Sequence, residues 1–147
     1  IFHTFSNNMY LSNRERTLKV ISNLLARPSL FPRYFLNLLN KRTPIEMHLP
    51  WWSYDSIAYV QKYNFDSCFE WGSGGSTLFL AKISKKITTI ENDPKWSEKL
   101  GIEIQKNDLN NISLQCKEIE LTDKESFKRS AYFNSLDENY DLIAIDG

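Results

Sequence analysis

From residue 67 onward, short apolar or β-branched runs alternate with stretches whose apolar residues recur at helical spacing. Residues 67–71, 86–90, 112–117 and 140–145 read as strands; residues 76–83, 94–105 and 124–136 read as helical segments between them. This rhythm predicts right-handed βαβ crossovers and a parallel sheet covered on both faces.

Upstream the pattern is helical. Ser12 followed by Glu15 forms a capping-box pattern, and Leu18, Ile21 and Leu25 then share one helical face until Pro28, giving a helix over residues 13–26. A second helix starts near Pro32 and carries Phe35, Leu36, Leu38 and Leu39 up to Lys41. Residues 42–50, with Pro44 and Pro50, read as a loop and the candidate boundary, so residues 1–49 form an N-terminal helical segment and residues 50–147 a sheet domain. Ser53 then caps a helix through Tyr63 with Ile57 and Val60 facing inward. The fold class expected is α/β: a Rossmann-like, doubly wound parallel sheet of strands one to four, preceded by N-terminal helices.

Composition adds a few exclusions. The 147 residues suffice for one domain with its own core, and 41% hydrophobic with 24% charged residues is an ordinary globular balance. The net charge of +0 gives no argument for nucleic acid or an anionic membrane as partner. Residues 1–50 nevertheless hold seven Lys or Arg against two Asp or Glu, a basic front read first as a solvated helical surface and second as a docking face. Cys68 and Cys116 fall in strands without metal or redox spacing, and read as buried, reduced thiols of a cytoplasmic protein. No apolar run reaches the length of a membrane span. The chain opens on Ile1 and stops at Gly147 directly after a strand, which reads as a piece cut at both ends.

The candidate chemistry gathers where the strands end. Phe69-Glu70-Trp71-Gly72-Ser73-Gly74-Gly75-Ser76 runs from a strand through a tight turn into a helix. Glycines suit such a turn because they admit positive φ and let a ligand approach the main chain; the plainer reading is an ordinary strand-to-helix turn. In a doubly wound sheet the ligand lies beyond the carboxyl ends of the strands, where the winding reverses, here between the loops after strands one and four. Glu70, Glu91 and Asp146 stand at those ends. A carboxylate closing strand two can accept both hydroxyls of a ribose, which suits Glu91; Asp93, directly before Pro94, reads as a helix cap. A dinucleotide fingerprint starting at Gly72 would need its third glycine at Thr77, and the acid at Glu70 is poorly placed for a pyrophosphate.

Three segments together carry a resemblance. Glu70-x-Gly72-x-Gly74-x-Ser76, the run Ile-Thr-Thr-Ile-Glu91-Asn-Asp93-Pro94, and Tyr-Asp-Leu-Ile-Ala-Ile-Asp146-Gly147 are similar to the first, second and fourth motifs of class I methyltransferases that use S-adenosylmethionine. The small-molecule, O-methyltransferase-like subset resembles it most, since Pro50-Trp51-Trp52-Ser53-Tyr54 is similar to a segment that precedes the first strand there. The resemblance covers residues 50–147 and implies S-adenosyl-L-methionine as cofactor and a small-molecule methyl acceptor. It further implies that Glu70, Gly72, Ser73 and Gly74 line the methionine part, that Glu91 holds the ribose, and that Asp146 faces the methionine or acceptor side. Ser76 stands where a third glycine is commoner. Trp71 and Tyr54 are candidate aromatic faces for a cationic cofactor, with core packing the alternative for Trp71. Asp146 has a turn role before Gly147 as its alternative. No catalytic base and no metal site is identified. The family's sheet continues past strand four, so this piece is expected to leave a bare strand edge and to show weak catalysis or none. A nicotinamide-dependent oxidoreductase and a non-catalytic binding domain are the competing readings.

Overall fold

The computed structural model of the protein describes residues 43–119 and 123–145, together with Arg14, Glu15, Leu18, Ile21, Ser22 and Leu25; the Tyr54 side chain is not described. The second front helix and Asp146 lie outside the described residues. The chain divides into two compact units, Ile1–Arg42 and Thr43–Gly147. In the first, all six described residues are helical, and Leu18, Ile21 and Leu25 are exposed.

The second unit begins with a helix where the sequence suggested a loop. Thr43 and Glu46 cap each other reciprocally, which lets four residues, Pro44–Met47 (α1), close one helical turn before His48 stops it with φ 51°. Ser53 caps α2 (Tyr54–Val60) through its side chain, which accepts from the Ser56 amide at 3.1 Å. There follow β1 (Phe65–Trp71), α3 (Gly75–Leu80), β2 (Ser84–Glu91), α4 (Pro94–Lys106), β3 (Ile112–Cys116), α5 (Lys124–Arg129) and β4 (Leu142–Ile145).

The strands form one parallel sheet in the order β3-β2-β1-β4. The winding therefore reverses between β1 and β4, as the α/β reading requires. Cys68 of β1 pairs with Ile87 of β2 and Leu142 of β4, while Ile87 pairs with Ile112 of β3. These four share one face, and α2 and α3 cover it with Ile57, Phe79 and Leu80. Leu78, Leu100 and Ile45 bury a second cluster that ties α1, α3 and α4 together.

The opposite face is thinner. Phe69, fully buried, packs edge-on against Trp71 and tilts against Tyr140. Ile143 and Ile145, on the same face of edge strand β4, stay 45% and 75% exposed. No strand pairs with the outer side of β4 among the described residues.

Two further expectations are corrected. The predicted helix over 124–136 breaks after α5: the Ser130 hydroxyl donates to the Phe127 carbonyl, and the Asn134 amide takes the carbonyls of Lys128 and Ser130. With those carbonyls satisfied, the chain turns at Ser130 and makes only a short 3₁₀ turn at Phe133–Ser135. Cys68 is buried, and that burial pushes its thiol up to about 11, but Cys116 is exposed because it ends β3 at the other edge of the sheet.

Candidate functional site

The turn after β1 is built from its own hydrogen bonds. Gly72 takes φ 76°, a conformation open to glycine and strained for other residues, and its amide extends the ladder by donating to the Ile90 carbonyl at 2.9 Å. The next two amides are also donated inward. Ser73 gives its N–H to Glu91 Oε2 at 2.9 Å, and Gly74 gives its N–H to Thr77 Oγ1 at 3.0 Å.

Behind the turn stands Glu70, fully buried. Its Oε2 accepts the hydroxyls of Thr77 at 2.6 Å and Thr89 at 2.8 Å. Thr77 thus bridges Glu70 to the Gly74 amide. A buried carboxylate persists only when hydrogen bonds compensate its lost hydration, and here those bonds fix the shape of the turn. Glu70 is not among the residues lining the hollow described next; it supports the loop from below.

Glu91, at the end of β2, is nearly buried and receives four donors. Ser73 supplies its amide and, at 2.7 Å, its hydroxyl to Oε2; Asn92 and Asp93 supply their amides to Oε1 at 2.8 and 3.0 Å. Asp93 is the helix cap the sequence indicated: its Oδ1 accepts the amides of Lys95 and Trp96 at the start of α4. That cap aims Trp96 back toward β1, and its indole N–H donates to the Ser73 carbonyl.

Gly72, Ser73, Gly74 and Glu91 consequently share one hollow of about 490 Å³, completed by Pro44, Trp51, Gly75, Asn92, Asp93 and Trp96. Two carboxylates and no basic side chain are among these residues. Gly75 serves packing: a Cβ there would lie 2.2 Å from the Leu49 carbonyl oxygen and 2.4 Å from that of Pro44. Its missing side chain is what lets α1 close over the loop.

The hollow lies over the ends of β1 and β2. At the reversal between β1 and β4, where the sequence located the crevice, there is a second, smaller hollow of about 290 Å³, lined by Trp71, Phe127, Tyr132, Phe133 and Ile145. Trp71 faces this one, its indole N–H donating to the Tyr132 carbonyl at 2.9 Å. Burial, then the charge of Glu91, raise the Tyr132 phenol above its ordinary pKa, while the Gly72 backbone pulls the other way. Tyr132 lines the second hollow. Neither it nor Trp96 was singled out from sequence, although Trp96, three residues after a cap, was the readable one. Among the described residues no group of three or more His, Cys, Asp or Glu side chains is arranged to hold a metal ion, and no helix is long and apolar enough to cross a membrane.

No family model and no curated protein matches the chain. Solved structures align with part of the chain at low identity. A protein-L-isoaspartate O-methyltransferase aligns with 14% identity and a TM-score of 0.43, over 60% of this chain and 26% of its own. A dimethyladenosine transferase from Plasmodium falciparum aligns with 20% identity and a TM-score of 0.44, over 63% and 30%. A methyltransferase from Geobacter sulfurreducens aligns with 16% identity and a TM-score of 0.42, over 61% and 55%. The matched region thus spans between about a quarter and just over half of those structures.

Proposed function

We propose that the chain carries the cofactor-binding part of an S-adenosylmethionine-dependent methyltransferase acting on a small-molecule acceptor, by O-methylation. One observation carries this reading: the glycine turn and Glu91 are walls of a single hollow whose ionisable lining is acidic, while the amides of Gly72, Ser73 and Gly74 are all donated inside the protein. A pyrophosphate needs free amides or cations; these three amides are already spent, and the lining holds no basic side chain. A ligand that combines a ribose with a positive centre suits a carboxylate-bearing wall.

The residues present fit that group. A hollow of about 490 Å³ lies within the range, roughly 300–1,000 Å³, of small-ligand sites. Glu91 is the ribose acceptor in this reading, Gly72, Ser73 and Gly74 run along the methionine portion, and Trp96 offers an aromatic face to a flat base. Glu70 acts from beneath, holding the turn through Thr77, while Asp146, outside the described residues, is assigned to the methionine or acceptor side by the sequence resemblance alone. When bound, the cofactor supplies a methyl group on a positively charged sulfur. The chain's own contribution is to bind, orient and exclude water, since displacement at that methyl is in-line and gains most from positioning.

Calorimetric titration with S-adenosylhomocysteine and with NADH tests the assignment. Binding of the former alone is the expected result. Binding of NADH alone would move the chain to the oxidoreductases, and binding of neither, with a protein partner recovered, would make it a non-catalytic module.

A further inference from the structure

The carboxylate assigned to the ribose is already saturated. A carboxylate offers about four lone-pair positions, and Glu91 fills them with the Ser73, Asn92 and Asp93 amides and the Ser73 hydroxyl. Three of these donors are main chain and cannot leave without moving the backbone. Asn92 and Asp93 join the end of β2 to the capped start of α4, and Ser73 is held by the Trp96 indole on its carbonyl and by the Gly72 amide on Ile90. The fourth donor, the Ser73 hydroxyl, turns away by rotation about one bond.

We propose that the Ser73 hydroxyl is an internal surrogate for a ligand hydroxyl: it occupies the acceptor position of Glu91 that a ribose hydroxyl takes, and it is displaced on binding. Ser73 is then the residue that sets how much the ribose contributes to affinity, because each ligand hydrogen bond to that position replaces one already made. The inference rests on the methyl-donor reading of the hollow and deepens it. Glu91 is 5% exposed and Ser73 8%, so water is a poor substitute for either partner.

Ser73→Ala removes the competitor and leaves the amide in place. Titrated with S-adenosylhomocysteine, the variant is expected to bind at least about threefold more tightly than the unaltered chain, while its thermal midpoint without ligand falls because Glu91 has lost a donor. Equal or weaker binding by a folded Ser73→Ala variant would overturn the inference and leave the methyl-donor reading standing. Failure of the unaltered chain to bind either S-adenosylhomocysteine or adenosine would overturn both. Should the variant not fold, the unaltered chain decides: adenosine and 2′,3′-dideoxyadenosine should differ by less than about tenfold, as an exchange of hydrogen bonds implies, and a larger penalty would overturn the surrogate role.

Discussion

Gly75 lies directly beneath the backbone of Leu49, so close that a methyl group on its α-carbon would meet the Leu49 carbonyl oxygen at 2.2 Å. A segment ahead of the sheet is thereby seated on the turn that follows β1, and Pro44 becomes part of the hollow's wall. Gly75→Ala must push main chain against main chain, and neither side has a flexible side chain to yield. Loss of about 2 kcal/mol or more of stability is expected, to be read from urea midpoints against Gly101→Ala, whose added Cβ meets nothing within 4 Å.

The Thr77 hydroxyl both donates to Glu70 and accepts from Gly74. Thr77→Val keeps the shape and removes both bonds, leaving a buried amide without its acceptor. A cost of about 1–3 kcal/mol follows from the general penalty for such groups. Hydrogen exchange at the Gly74 amide should quicken beyond the change seen at core amides of β1, whereas uniform quickening would show that Thr77 only supports global stability.

Glu91→Ala should weaken S-adenosylhomocysteine binding by more than about tenfold, on the order of 1.4 kcal/mol. The loss has two sources: the ribose acceptor disappears, and the amides of Ser73, Asn92 and Asp93 lose the group that holds them together. Unchanged affinity would remove Glu91 from the site.

His48 follows α1 and takes φ 51°, and burial, then the charge of Lys82, lower its pKa from the ordinary 6.5. A base whose folded pKa is depressed binds fewer protons folded than unfolded in the window between the two values. Stability therefore falls as pH drops from about 6.5 toward the folded value. His48→Asn, a residue that tolerates this backbone conformation, should flatten the change in urea midpoint between pH 7.5 and 5.5; an unaltered slope would assign it to other groups.

Much of this arrangement was legible in the chain because parallel strands and their turns leave strong marks. The strand positions, the Asp93 cap and the meeting of the glycine turn with Glu91 follow from periodicity and from acids standing where strands end. What sequence hid was direction. Adjacent residues of a strand point to opposite faces, so Glu70 went under the turn and Trp71 into a hollow separate from the one that Glu91 lines. The glycines also look alike in sequence, yet Gly72 answers a backbone conformation and Gly75 an overhead contact. The exposure of Cys116 depended on β3 being an edge, which only the strand order reveals.

Since three consecutive amides of the turn are tied down before anything arrives, entry into the hollow waits on no loop ordering. Swinging one hydroxyl takes picoseconds to nanoseconds, far shorter than a diffusive encounter. Related ligands should therefore arrive at similar rates, with the lifetime of each complex, more than its speed of formation, separating strong binders from weak ones.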